Sequence, residues 1–208
     1  MKILLVNGSP HEYGCTRAAL DEIAKELAAN GVESEVFWLG TQPVAGCIGC
    51  GACRKEGAKG CFRDDCVNRF AELADGADGF VFGTPVHWAA ASGAITSFMD
   101  RVFFSAGGKM RGKPAASVAS ARRAGTTAAL DQLNKYFYIC GLPIVPSQYW
   151  AMVHGAKPED VASDLEGLQI MRTLAKNMAW MAKCFAAGKA AGITQPAPEP
   201  AVRTNFIR

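Results

Sequence analysis

The sequence predicts an α/β protein in which a parallel sheet of five strands is covered by helices on both faces. Short apolar runs alternate with segments that repeat apolar residues every three or four positions, a pattern typical of βαβ units. The apolar runs lack polar alternation, as expected of strands buried on both faces. No linker or internal repeat divides the sequence, so we predict one domain over residues 1–190 and an extended tail over 191–208.

The composition is that of an ordinary globular protein. The 208 residues are 50% hydrophobic and 20% charged, which excludes a disordered or collagen-like chain. The net charge of +3 is too small to indicate a nucleic-acid or membrane partner. The N-terminal apolar run is too short for a signal peptide, and no segment approaches the roughly 20 apolar residues of a membrane span. We therefore expect a cytoplasmic protein, in which the eight cysteines stay reduced.

The first half of the sequence is predicted to hold three strands and two helices. An apolar stripe that includes Leu20 and Leu27 indicates a helix that ends at Gly31, a residue suited to a C-terminal cap. A second, short helix starts at an N-cap, either Asp64 or Asp65. The predicted strands are residues 3–6, 33–39 and 79–83.

The second half is predicted to hold two further strands, residues 114–119 and 142–145, and three helices, residues 92–104, 126–140 and 158–187. Pro143 is tolerable if the last strand lies at a sheet edge. Cys140 and Cys184 fall on apolar helical faces and are expected in the core. The inner stripe of the longest helix is predicted to be Leu168, Met171, Ala175, Met178, Ala182 and Phe185.

Three predicted loops lie where an open α/β sheet binds its ligand, beyond the carboxyl ends of the strands. The first, residues 8–16 (GSPHEYGCT), joins glycines and hydroxyl side chains to a helix N-terminus. Free N–H groups and the positive end of the helix dipole there favour a phosphate group. An ordinary capped turn with Thr16 as N-cap is the alternative. The loop is neither a P-loop nor a G-x-G-x-x-G motif.

The other two loops suit a flat ligand and an anionic one. In residues 84–93 (TPVHWAAASG), small residues follow a rigid proline and an aromatic pair, so a planar ligand could lie on backbone amides. Alternatively, Trp88 packs in the core and His87 is a capping or surface histidine. In residues 120–127 (SARRAGTT), Arg122 and Arg123 precede a helix start and form a nest for an anion. A solvated loop is the alternative, but the position at the ligand edge favours function.

The three segments NGSPHEYGCT, FGTPVHW and SARRAGTT, the last followed by LDQLNKYF, together resemble the flavodoxin-like NADPH-dependent FMN reductases. Within that family they are most similar to the branch that includes iron-sulfur flavoproteins. The resemblance covers nearly the whole chain and implies a flavodoxin-like three-layer sandwich with strand order 2-1-3-4-5. The first segment departs from the common GSPRxxGNT form, since His11 and Cys15 stand where Arg and Asn are usual.

The resemblance implies an FMN site built from these loops. Ser9, Thr16 and the amides between them would hold the phosphate, and residues 85–88 would lie against the edge of the isoalloxazine ring. Arg122 or Arg123 near the pyrimidine end, with His87, would tune the flavin, and no side chain need act as nucleophile or general base. The predicted cofactor-binding residues are Ser9, His11, Cys15, Thr16, Pro85, Val86, His87, Trp88, Ser120, Arg122, Arg123, Gly125 and Thr126.

The implied activity is that of an NAD(P)H oxidoreductase. NAD(P)H would reduce FMN, and a quinone, free flavin or nitro/azo compound would then take the electrons in a ping-pong cycle. A flavodoxin-type or iron-sulfur flavoprotein electron carrier with a protein partner is one alternative, and a ligand-binding module without a redox role is another. We also expect a homo-oligomer, most simply a dimer, in which the flexible segment 105–110 forms a lid or interface and the tail crosses onto a partner.

Four cysteines in the long connection at residues 40–66 form the sharpest local motif, Cys47-x2-Cys50-x2-Cys53-x7-Cys61. The motif is similar to the compact one of iron-sulfur flavoproteins, in which one loop wraps a [4Fe-4S] cube. Zinc bound by Cys47, Cys50, Cys61 and Cys66 is an alternative. A loop without metal is the other alternative, and we narrowly favour it over the cube. In each case we expect the loop to border the flavin site.

Overall fold

A computed structural model describes residues 1–206, which form a twisted sheet between two layers of helices. The parallel strands follow the order β2-β1-β3-β5-β6, and the short β4 pairs antiparallel with the end of β3. Without β4, this is the predicted order 2-1-3-4-5, so the fold prediction is confirmed. The strands are β1 (Lys2–Asn7), β2 (Glu33–Trp38), β3 (Gly79–His87), β4 (Ala90–Ala91), β5 (Ala115–Ala121) and β6 (Met152–His154).

The helices divide between the two faces of the sheet. On β1, Leu4 and Val6 pack into the core under α2, α3 and α4, whereas Ile3 and Leu5 pack into the core under α1 and α6. Because both faces of this strand are covered, its apolar run needs no polar alternation. The helices are α1 (Cys15–Ala29), α2 (Cys66–Asp75), α3 (Gly93–Met110), α4 (Thr126–Cys140), α5 (Pro158–Val161) and α6 (Leu165–Ala190).

The predicted position of the fifth parallel strand is wrong. Within residues 142–145, only Ile144 makes a bridge, to Ala115, and the regular strand is β6, further along the chain. The segment meets β5 at Ala115, whose N–H donates to the carbonyl of Pro143 (2.9 Å) and whose carbonyl accepts the N–H of Val145 (2.8 Å). Pro143 has no N–H with which to extend this pairing. As a result, the last loop at the carboxyl edge of the sheet is residues 155–158.

Two helix predictions need correction at their ends. Residues 105–110 are not a flexible lid: they continue α3, and Ala106 and Met110 are buried against the core. The predicted helix over 158–187 is interrupted, since α6 starts anew after Asp164, whose carboxylate accepts the N–H of Gly167. By contrast, α4 has the predicted bounds, and Asp65 caps α2 as expected.

The end of α6 leaves the core sooner than predicted. Its last buried residue is Ala182, and both Cys184 and Phe185 are exposed, so the core positions predicted for these two are wrong. Cys140, by contrast, is half-buried against the core. Residues 193–206 of the tail have no regular secondary structure and are exposed, and residues 207–208 lie outside the described part. No helix in the described part is long and apolar enough to cross a membrane.

Candidate functional site

A groove of about 490 Å³ opens at the carboxyl ends of β1, β3, β5 and β6. Four loops supply its walls: residues 9–16, 85–87, 120–122 and 155–158. The first three are the loops that the sequence indicated, and the fourth was missed because the last strand was predicted too early. The predicted residues that line the groove are Ser9, His11, Cys15, Thr16, Pro85, Val86, His87, Ser120 and Arg122.

Hydrogen bonds to a buried asparagine hold the loop from β1 to α1 in place. Asn7 Oδ1 accepts the N–H of Ser9 (3.1 Å), and its Nδ2 donates to the carbonyl of Glu12 (3.0 Å). The indole N–H of Trp38 donates to the carbonyl of Ser9 (2.8 Å). Sequence reasoning missed both supports. An asparagine directly after a buried strand was the available signal for Asn7.

The N-terminus of α1 is open toward the groove. Its N-cap is Gly14, in extended backbone, and no side chain among the described residues caps the helix. The Thr16 N-cap alternative is therefore wrong: Thr16 lies inside the helix, and its hydroxyl bonds that of Ser120 (2.8 Å). Uncapped N–H groups and the positive end of the helix dipole form a site for an anion.

Cys15 links this loop to the fourth wall of the groove. Its thiol donates to the carbonyl of Gly155 (3.4 Å). Partial burial, with Asp160 and Glu159 nearby, raises the pKa of the Cys15 thiol, which therefore stays neutral and able to donate. The same wall brings Lys157, a cation that sequence reasoning missed, to the groove.

The wall from β3 ends in a tight hairpin. Trp88 and Ala89 form its turn with φ of 52° and 59°, and Trp88 is fully exposed, so the core-packing alternative for this residue is wrong. Positive φ at two non-glycine residues is strained, and such strain clusters at functional sites. Gly125 packs directly against this turn, and a larger residue would not fit there because its Cβ would lie 2.6 Å from Ala89 Cα.

Four predicted cofactor-binding residues do not line the groove: Trp88, Arg123, Gly125 and Thr126. Gly125 supports the hairpin from behind, and the buried hydroxyl of Thr126 donates to Met152 Sδ (3.2 Å). Arg123 is exposed and lies outside the wall that Arg122 forms. The neighbouring arginines therefore have different surroundings.

A second and much smaller cavity, of about 20 Å³, lies within the cysteine motif. Cys47, Cys50, Cys53 and Cys61 all line it, whereas Cys66 does not. Within the described residues, no three His, Cys, Asp or Glu side chains are placed to hold one metal ion, so the predicted zinc set is not assembled. By number and chemistry the four cysteines suit a cube, because each iron of a cube takes its own thiolate.

The cysteine cavity lies against the middle of α3 and shares no lining residue with the groove in the described part of the chain. That the loop borders the flavin site stays a prediction. The buried wall of this cavity includes Arg101. Burial acts to lower the pKa of Arg101, but hydrogen bonds to Asp65 and Cys61 outweigh it and raise the pKa, so the guanidinium remains charged.

Known proteins resemble this chain over most of its length. The family described as NADPH-dependent FMN reductase matches residues 1–157. An iron-sulfur flavoprotein of Methanocaldococcus jannaschii is 29% identical over 193 residues, which cover 88% of this chain and 98% of that protein.

The solved structure of RosB, with bound 8-demethyl-8-formylriboflavin-5'-phosphate, superposes with a TM-score of 0.70 at 15% identity, over 100% of this chain and 92% of RosB. A flavodoxin from the domain Archaea superposes with a TM-score of 0.59 at 16% identity, over 88% and 99%. The chain therefore belongs, as its loop motifs predicted, to the NADPH-dependent FMN reductase family of flavin oxidoreductases.

Proposed function

We propose that the protein is an FMN-dependent NAD(P)H oxidoreductase that passes electrons to a small acceptor in a ping-pong cycle. The acceptor class is a quinone, a free flavin or a nitro/azo compound. The observation that supports this most directly is the convergence of three motif-bearing loops on one groove beside an open helix N-terminus. Bound FMN would supply the ring that accepts a hydride from NAD(P)H and passes electrons on.

The first turn of α1 would bind the phosphate. Ser9 Oγ already accepts the N–H of His11 (3.1 Å), and no described residue accepts its own hydroxyl proton, which is free for a ligand oxygen. Thr16 and Ser120 share one hydrogen bond between two hydroxyls, so one further O–H donor remains. Lys157 and Arg122 at the groove would add positive charge to this neutral donor set.

The hairpin wall would orient the ring. Pro85, Val86 and His87 line the groove, and the strained turn after His87 fixes where the backbone N–H groups of Val86 and His87 lie. Arg122 would face the part of the ring that gains negative charge on reduction. The role of the protein is then to place donors and charge, since the cofactor carries the redox chemistry.

Flavin titration and initial-rate kinetics test this proposal. We expect apoprotein to bind FMN and the complex to oxidise NADH or NADPH. Double-reciprocal plots at several acceptor concentrations should give parallel lines. A protein that binds no FMN would contradict the proposal, and so would a bound flavin that is not reduced by NAD(P)H.

The cysteine cavity favours a second candidate, an iron-sulfur flavoprotein electron carrier. Four thiols line one cavity, and relatives of this chain are named iron-sulfur flavoproteins. We propose that Cys47, Cys50, Cys53 and Cys61 hold a [4Fe-4S] cluster, which would supply single-electron transfer when bound. The reductant separates the two functions: a carrier takes its electrons from a reduced protein donor, whereas the oxidoreductase takes them from NAD(P)H directly.

A further inference from the structure

One arginine lies fully buried beside the cysteine cavity. Arg101, on α3, is 2% exposed, and a guanidinium in such a place needs acceptors for its N–H groups. Its Nε and one Nη donate to Cys61 Sγ at 3.3 and 3.2 Å. The Asp65 carboxylate accepts two bonds, at 2.5 and 3.1 Å, and the carbonyls of Ala45 and Arg63 accept at 3.5 and 3.2 Å.

These acceptors come from both ends of the cysteine motif. Ala45 precedes the first cysteine, while Arg63 and Asp65 follow the last one. A single side chain therefore fastens the start and the end of the motif to α3. Among the four cavity thiols, Cys61 is the one that Arg101 contacts in the described structure.

We propose that Arg101 is the positioning residue of the cysteine loop: it aims Cys61 Sγ into the cavity and keeps its hydrogen bonds to that sulfur when a cluster is bound. The second part rests on the cluster proposed above. Hydrogen bonds and positive charge at a ligand sulfur stabilise the reduced cluster, which carries one more negative charge. Arg101 therefore raises the potential of the one-electron couple, in which an electron is gained and no covalent bond changes.

The chain offers graded variants and a matched control. Arg101→Gln removes the charge and the forked donors, whereas Arg101→Lys keeps the charge but cannot bind sulfur and carboxylate with a planar fork. Arg54 serves as the control: it is exposed, belongs to the same loop, and its guanidinium lies 3.8 Å from the ring centroid of Phe104. Arg54→Gln also removes one positive charge, but Arg54 makes no hydrogen bond to a thiol among the described contacts.

The first measurement uses reduced, metal-free protein under anaerobic conditions. We expect amide hydrogen exchange over residues 45–65 to accelerate on the order of tenfold in Arg101→Gln, to be intermediate in Arg101→Lys and to stay at the wild-type rate in Arg54→Gln. Exchange in β1 and β5 should be unchanged in every variant, which shows that the fold is retained.

The second measurement is a redox titration of iron-loaded protein followed by EPR. We expect the equilibrium constant for cluster reduction to fall on the order of tenfold in Arg101→Gln, which is about 59 mV for one electron. Arg101→Lys should recover part of the shift, and Arg54→Gln should show little. Wild-type potential and wild-type exchange in both Arg101 variants would overturn the role of Arg101 while leaving the cluster in place. A wild-type protein that takes up no iron would instead overturn the cluster and the ligand role together.

Discussion

At the scale of single residues, neutral donors dominate the end of the groove where we propose that the phosphate binds. Ser9, Thr16 and Ser120 are buried hydroxyls, and the neighbouring Cys15 thiol is neutral because burial raises its pKa. Such donors bind a phosphate without requiring a buried cation, whose desolvation would be costly. Each hydroxyl is therefore expected to have a measurable effect on flavin affinity.

Ser9→Ala removes the hydroxyl whose proton is free for a ligand. Loss of one hydrogen bond to a charged group costs about 1.5–3 kcal/mol, so the Kd for FMN should rise about 10- to 150-fold. Fluorescence titration of apoprotein measures this, and Ser163→Ala, at an exposed serine outside the groove, serves as control. Equal affinities for Ser9→Ala and wild type would place the phosphate elsewhere.

The two adjacent arginines allow a matched comparison at the ring. Arg122 lines the groove and Arg123 does not, so Arg122→Gln should lower the potential of bound FMN and Arg123→Gln should have a smaller effect. The reason is that reduced flavin is anionic and loses its nearby counter-charge. Each 1.4 kcal/mol corresponds to about 30 mV for a two-electron couple. Identical potentials in both variants would exclude this role for Arg122.

At the scale of elements, the β3–β4 hairpin stores strain beside the groove. Ala89 has φ of 59°, and the left-handed region costs an L-residue roughly 1–2 kcal/mol. Ala89→Gly should therefore raise the free energy of unfolding by about 1 kcal/mol, after allowance for the greater freedom of glycine in the unfolded chain. Urea denaturation measures the change. The control Ala90→Gly, in β4, should lower the free energy of unfolding instead. If Ala89→Gly lowered it as well, the turn would not be strained.

The cysteine loop is the other element with a direct test. If the cavity holds a cube, anaerobically purified protein should contain about four irons and matching acid-labile sulfide per chain. Cys50→Ser should abolish this content because it removes one ligand, whereas Cys184→Ser, at an exposed cysteine on α6, should not. Wild-type protein free of iron under these conditions would leave the cysteines without a metal role.

At the scale of the whole molecule, the exposed tail suggests a partner copy. Ile193, Val202 and Phe206 expose 72%, 96% and 90% of their surface, and burying them on a second subunit would be favourable. We expect light scattering at micromolar concentration to give a dimer of twice 22.0 kDa. A chain truncated after residue 192 should shift toward the monomer while keeping its circular dichroism spectrum, since the core of α6 ends at Ala182. A monomeric full-length protein would contradict the prediction.

Most of the elements and most of the groove could be predicted from the amino-acid sequence, and the sheet order followed from the family resemblance of its loop motifs. Buried strands and amphipathic helices leave local periodic patterns, so β1, β2, β3, β5 and α4 could be predicted from short windows of sequence. Loops that follow buried strands must lie at one edge of a parallel sheet. This is why the residues of the three predicted loops converge on one groove.

Features that depend on residues far apart in the chain could be seen only in the folded structure. Residues 142–145 bond β5 only at Ala115, whereas residues 152–154 form a regular ladder with the end of β5, and this division depends on the path of the folded chain. The role of Arg101 could not be predicted from the sequence for the same reason. The role of a buried polar side chain depends on the acceptors that folding brings to it. For Arg101 these acceptors come from both ends of the cysteine motif.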